Sequence, residues 1–434
     1  MQLTGKTSIR RALTAITAAL LGTGAAHAAG DNHVASSLLL YSETNRVQAA
    51  EGILSITRML KHERILNAKF TLDGLTGASP NGATPSSNVQ TFTRPSGGTG
   101  YTIEPGKLPL DKTFKDSRYA FDGSLTQPIN RLTSLIFGAH LSTEHDYNSF
   151  GANVGFTRDF NRKNTTLAAS VAASHDIVRP IGSAPTPFAS MAAPTGGIPG
   201  EGEDDGGRHH RGPGKAKNVV DAVLSLTQVL NRRTIVRFNY SYNHSSGYLN
   251  DPYKLLSVVQ GPNGTDPGEP VDYLYESRPG SQTKHAVYAE IRRYIVKDHT
   301  FDLSYRYFWD DWGTKSKTVD FFYHLPLSGG HALQPHVRWY RQTAADFYHS
   351  YLLQNAPLPT HASADYRLAP FHALTLGLEY LFPIAEGEHM SVSAEYYRQF
   401  GDLSPPSSLG ILSRSNLFPE MKAVMVRVGF THDF

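Results

Sequence analysis

The chain closes on KAVMVRVGFTHDF, residues 422–434. In an extended segment Val424, Val426, Val428 and Phe430 share one face, with Phe434 in the same phase, while Met425, Arg427, Gly429 and Thr431 share the other. A soluble sheet ending this way would present an oily, unpaired edge, which folded proteins avoid. A closed barrel removes the difficulty: the last strand pairs with the first and the apolar face meets lipid.

Composition agrees with strands. The 434 residues are 40% apolar, modest for a large buried core, yet they include 22 Tyr, 21 Phe and 3 Trp, residues that favour pleated surfaces. At the other end Lys6, Arg10 and Arg11 precede the run ALTAITAALLGTGAA (12–26) and the small residues around Ala26-His27-Ala28. This pattern predicts a cleaved export signal over 1–28 and a single domain over 29–434. A helical anchor is the alternative, but the run falls short of the roughly 20 residues a bilayer demands. Loss of 1–28 removes three basic and no acidic groups, leaving 38 of each sign. Such a balance gives no basis for a nucleic-acid partner. With no cysteine, disulfides, thiol catalysis and thiolate metal sites are excluded. No other apolar stretch reaches spanning length, so membrane residence requires a barrel.

Alternation recurs in segments of about ten residues, as barrel strands require. Over 300–309, Phe301, Leu303, Tyr305, Tyr307 and Trp309 oppose Asp302, Ser304 and Arg306. Over 317–325, Val319, Phe321, Tyr323 and Leu325 oppose Asp320, Phe322 and His324. Short connections are expected at KHE (61–63), QPIN (127–130), DFNRKN (159–164), LNRR (230–233), KDH (297–299) and LSGG (327–330), and long ones over 75–115, 175–217, 244–283, 343–370 and 401–420. Short turns at one rim and long loops at the other describe an outer-membrane barrel. Strands at 34–43 and 46–57 open the series, and 371–382, 388–400 and 421–434 close it. The expected fold is an all-β, antiparallel up-and-down transmembrane barrel of about sixteen strands, an even number with both termini at the periplasmic rim. Fourteen or eighteen strands are the alternatives, since SADYRLAPFHA could form one more hairpin. A soluble sandwich or propeller would also alternate, but export, aromatics at strand ends and segregated loop lengths argue against it.

Several stretches, TGASPNGA (76–83), GYLNDPYK (247–254), HAVYAEIRRY (285–294), RYFWDDWG (306–313) and QPHVRWYRQTAADFY (334–348), resemble a bacterial outer-membrane β-barrel family known as domain of unknown function 3570. The resemblance covers most of the chain beyond the export segment and implies a barrel in the cell outer membrane; it brings no substrate and no catalytic residues. The final segment also resembles the C-terminal signature read by barrel-insertion machinery, with Phe430 and Phe434 as the signal residues. His432 departs from the apolar residue usual at its place.

On the phase above, Lys69, Asp73, Asp122, His140, Arg237, Glu379 and Glu395 face the lumen, as do the candidate selectivity residues Glu290, Arg292, Asp302, Arg306, Asp320, His324, His336 and Arg338. A barrel this wide cannot be filled by side chains alone. Charges of both signs in such a lumen suit a channel for a small polar solute or ion, with the loops 75–115, 175–217 and 244–283 narrowing its mouth. The alternative is an ion-pair network that keeps a plugged interior solvated.

Other features are weaker. Asp310 and Asp311 could hold a hard cation, but neighbours in a strand point apart, which favours a solvated acidic turn beside Trp309 and Trp312. EGEDDGGRHHRGPG (201–214) carries acids and two histidines, yet its glycines fix no geometry, so a charge-balanced surface loop is expected and no metal or other cofactor is assigned. Signatures of hydrolases, zinc proteases and phosphate-binding loops are missing from the sequence, so no enzyme is expected. The expected partners are outer-membrane lipid, the insertion machinery through the C-terminal strand, and a periplasmic factor of unknown identity. A non-conducting binding barrel and, behind it, a lipid-acting enzyme at the rim are the alternatives.

Overall fold

The computed structural model describes residues 32–93, 100–180, 183–191, 213–296, 298–401 and 409–434. The expected export signal and most of the loop 201–214 lie outside the described residues. Sixteen strands form a closed barrel, each antiparallel to the barrel strands before and after it. His33–Glu43 and Met421–Asp433 close the seam, with Ser37 opposite Gly429 and Ser42 opposite Val424. The expected count is therefore met, and the last strand has no free edge. SADYRLAPFHA adds no barrel hairpin; the outer connection 343–370 leads straight into Phe371–Ala385.

One face of every strand points away from the lumen and leaves large apolar side chains uncovered, among them Leu40, Leu72, Phe238, Leu303, Phe321 and Val424. A contiguous belt of this size is the surface lipid covers. The fold is thus a transmembrane-type β-barrel, and the period-two pattern is its cause.

Connections differ from expectation in two respects. QPIN lies wholly within the strand Leu110–Asn130, whereas LNRR holds its turn at 232–233, directly after Lys215–Asn231. The first hairpin turns just beyond QPIN, at 131–132, and both close by the same device: Asn130 and Asn231 accept, through their side-chain oxygens, the backbone N–H two residues on, each at 2.9 Å. Pro128 is tolerated because the register shifts between Pro128 and Asn130. At the opposite rim three connections, 44–47, 144–146 and 311–314, are short. The strands there also run on to Pro80 and start at Leu110, which shortens the expected loop 75–115 to 81–109.

The long loops do not hang free. Leu255–Val259 pairs with Pro270–Tyr275 and, in parallel, with Leu352–Leu353, while Gln90–Phe92 pairs with Tyr101–Ile103. Phe92 is fully buried between Tyr101 and Tyr273, at ring-centroid distances of 5.4 and 5.0 Å. Leu256, Leu274, Leu352 and Ala362 form a second small core, and Val259, Leu412 and Leu417 a third. Each large side chain so buried contributes about 1.5–3 kcal/mol, enough for the loops to behave as a folded cap. DPYK belongs to it, and the end of TGASPNGA runs into it from the barrel strand: Lys254 donates to the Pro80 carbonyl and the Leu255 N–H to the Asn81 carbonyl, the latter at 2.8 Å.

Candidate functional site

The lumen changes character along its axis. On Ser281–Tyr294 the inward Gln282, Lys284 and Ala286 are buried, Tyr288 and Glu290 half-buried, and Arg292 exposed. Lys215–Asn231 repeats the gradient, from buried Val219, Asp221 and Val223 to half-buried Ser225 and Thr227. Phe371–Ala385 passes from Phe371, Ala373 and Thr375 to the more open Gly377 and Glu379. The half beneath the loops is filled; the half toward the short turns is more open to solvent.

The filling is the cap. Tyr366, on the short 3-10 turn Tyr366–Leu368, packs with Ala369, Phe371, Ala373 and Phe418, and inward Tyr340 and Tyr397 press against them. The Gln342 side-chain amide donates to the carbonyls of Arg367 and Ala369 at 2.9 and 2.8 Å. Arg46 and Lys254 lie over the Tyr366 ring, 5.6 and 5.8 Å from its centroid.

Around that turn a group of charges is shut away from water. Arg367 donates to Asp365 from Nε at 2.8 Å and to Asp251 from Nη2 at 2.6 Å. Arg278 donates from Nη2 to Asp365 at 2.8 Å and pairs through Nε with Glu276 at 2.6 Å. Ser363 donates to the other Glu276 oxygen at 2.5 Å, and Lys254 donates to the Pro80 carbonyl. Burial alone would raise the Asp365 carboxyl, but Arg367, Lys254 and Arg278 hold it well below the ordinary carboxylate range. Burial pushes Glu276 up and Lys254 down. Loops distant in sequence are thereby locked together by charges that cannot separate cheaply.

The solvated half carries the residues expected from the sequence. Arg292 donates to Asp302 from Nε at 3.0 Å and from Nη2 at 2.6 Å, with Glu290 3.7 Å away. Arg237 and the Tyr288 hydroxyl complete this cluster on Glu290, at 3.4 and 2.7 Å. A second cluster centres on His336, whose Nε2 lies 2.7 Å from Asp320 and whose Nδ1 lies 2.8 Å from Glu395. With a carboxylate at each ring nitrogen, both nitrogens are satisfied as donors. Phe322 stacks on the same ring at 4.0 Å, and Arg338 donates from Nε to Asp320 at 2.6 Å. Glu395 sits two strands from His336. It reaches across because Gly377 lies between them in register, where an added Cβ would stand 2.8 Å from the Glu395 Cγ. On the facing wall Lys69, Asp122 and His140 form a third cluster at 3.1 and 2.6 Å.

Of the eight selectivity candidates, Glu290, Arg292 and Asp302 come together in one cluster and Asp320, His336 and Arg338 in another. Arg306 lies over the Phe308 ring instead, at 5.7 Å, and His324 stands nearer the short turns, opposite Thr300. The eight omit Glu395 and the notch at Gly377, and the cap charges were not singled out at all. The Asp310 and Asp311 carboxylates are engaged apart: Asp310 accepts from the backbone of Thr314 at 2.8 Å and Asp311 from that of Thr283 at 2.9 Å. Among the described residues no group of His, Asp and Glu has metal-site geometry. Phe430 and Phe434 lie on the outward face of the seam strand; Phe434 is exposed and stacks on His432 at 5.8 Å.

Solved structures that resemble this fold are outer-membrane barrels of very different sequence. The ferric enterobactin receptor of Pseudomonas aeruginosa matches with a TM-score of 0.43 and 11% identity over 84% of this chain and 54% of its own. The CymD monoaromatic hydrocarbon channel matches at 0.40 and 8%, over 93% and 88%, and CdiB from Acinetobacter baumannii at 0.45 and 8%, over 92% and 60%. This chain spans about half the length of that receptor. No curated protein matches it. The match over residues 10–432, together with the sixteen-stranded barrel, shows that the chain belongs to the family described as Protein of unknown function (DUF3570).

Proposed function

We propose that this barrel is a gated passage of the bacterial outer membrane for a small polar solute or ion, closed at its outer mouth by the cap. The supporting observation is the lumen gradient: a charged vestibule open toward the short turns meets a seal of loops packed onto wall residues such as Phe371 and Ala373. A lumen built only to be filled would have no use for exposed Arg292 and Arg338. The short turns then face the periplasm and the cap faces outward. No catalytic step is assigned. In planar bilayers the folded chain should conduct rarely, and Asp365→Asn should raise its open probability severalfold. Silence from both proteins, with the barrel intact, would reject a passage.

The packing of the cap favours a second reading, a non-conducting barrel that presents a rigid outer surface. Stable binding of a partner to the cap without any conductance would identify it.

The C-terminal strand is also assigned the role of insertion signal. Phe434 is largely exposed, so Phe434→Ala should change the stability of the assembled barrel by less than about 1 kcal/mol. The amount of folded barrel recovered from cell membranes should nevertheless fall severalfold. Normal recovery would remove Phe434 from the signal.

A further inference from the structure

Outward positions at the loop rim are not alike around the barrel. On the last five barrel strands, from Lys315–Pro326 to Met421–Asp433, they carry Lys315, Lys317, Arg341, Arg398 and Lys422, all exposed. Register sets these cations side by side: Lys317 faces Arg341, Arg341 faces His372, and Arg398 faces Lys422. At a similar level on the rest of the wall the described outward residues are mainly neutral, such as Ser42, Gln48, Asn148, Asn218 and Ser246; Lys115, Arg179 and Asp311 are charged but stand apart from one another.

Like charges directly opposite one another destabilise a sheet, and beside hydrocarbon their repulsion is poorly screened. Little within the chain relieves it. Glu420 lies 3.9 Å from Arg398, both exposed, and among the described residues Lys315, Lys317, Arg341 and Lys422 form no ion pair. The cations also sit at a defined depth. Trp309 faces Lys315 and Tyr307 faces Lys317, and these two rings stack at 5.6 Å, an aromatic collar of the kind that marks the headgroup level. Just toward the turns, Phe321, Val337, Leu376, Tyr396 and Val424 lie in one continuous register across the same strands.

We propose that this arc binds a bis-phosphorylated glycolipid of the outer leaflet. Its phosphates neutralise the Lys317–Arg341 and Arg398–Lys422 pairs, and its acyl chains lie on the row from Phe321 to Val424. Guanidinium groups suit phosphate oxygens through paired N–H donors. Arg341 and Arg398 stand two strands apart and two residues out of register, about 12 Å between backbones, so the two cation pairs match two phosphates held on a disaccharide-sized spacer. A phospholipid with one phosphate satisfies one pair alone.

Native mass spectrometry of the full chain in detergent, titrated with lipid A, monophosphoryl lipid A or phosphatidylglycerol, tests this. One lipid A should be retained, with monophosphoryl lipid A about tenfold weaker and phosphatidylglycerol weaker again. The variant Lys317→Gln/Arg341→Gln/Arg398→Gln/Lys422→Gln should bind lipid A about a hundredfold more weakly, while Lys115→Gln binds as the parent does. Heat-modifiable gel migration, unchanged in both variants, confines the reading to folded barrel. Undiminished binding by the fourfold variant, or phosphatidylglycerol held as tightly as lipid A, would overturn the site.

Discussion

Asp365→Asn is expected to release the cap while leaving the barrel closed on itself. Asp365 is buried and receives Arg367 and Arg278 at once. The amide keeps the volume but loses the charge, leaving two guanidinium groups and Lys254 in a dry space with less to offset them. Removing one partner of a buried ionic group costs about 3–5 kcal/mol. Little of this can be recovered locally, because Asp251 is already occupied by Arg367. The cost therefore falls on the contacts that hold 248–280, 343–370 and the barrel mouth together. Backbone amides of Leu255–Val259 should exchange with solvent orders of magnitude faster, and added protease should cut the loops, while the barrel strands keep their protection. Unchanged exchange in the cap would show that the ionic group is not its lock. In the unsubstituted chain the Asp365 contribution to the lock resists acid. A carboxyl depressed in the folded state stabilises above its unfolded value and loses that contribution only as pH falls through the depressed one.

Reversal of lumen charge should show next, in what passes. Arg306 and Arg338 face the lumen; the Arg338 side chain is 40% exposed and Arg306 half-buried, so their charges are felt in the lumen and not only by their neighbours. Each Arg→Glu change moves the wall by two charge units. Measured in the Asp365→Asn background, where the mouth is open, Arg306→Glu/Arg338→Glu should shift the reversal potential under a KCl gradient toward cations. The shift should be severalfold in permeability ratio and fade at high salt as screening shortens. Arg306→Glu alone separates selectivity from damage to the Asp320 cluster, since Arg338 is the member that donates to Asp320. An unmoved reversal potential would place the conducting path elsewhere.

The barrel was legible because a transmembrane strand writes its two environments into alternate residues. KAVMVRVGFTHDF could be assigned to a seam before any pairing was known, and inward phases from Lys69 to Glu395 followed from the same parity. His432, which broke the apolar phase, faces outward, stacks on Phe434 and lies 3.4 Å from Glu388. At a membrane interface an imidazole serves as an aromatic ring with a polar edge. The cap was not legible. Lys254, Glu276, Asp365 and Arg367 meet only through loops that no periodic pattern describes, and their chemistry arises from who buries whom. The His336–Glu395 pair was hidden for a related reason: the two lie on strands separated by a third, and the permissive residue is Gly377, which reads in sequence as an ordinary strand glycine.

The chain lacks cysteine, which allows the central claim to be tested with one introduced thiol. Ser393 lies on the inward face of Glu388–Phe400, opposite Glu379 and Arg427 in the open half of the lumen. A Ser393→Cys protein in oriented membranes should react with a charged, membrane-impermeant thiol reagent from the periplasmic side. It should react from outside only when Asp365→Asn is also present. Equal labelling from outside in both proteins would mean that the cap does not close the mouth. Labelling from neither side would mean that the lumen is not the solvated vestibule described.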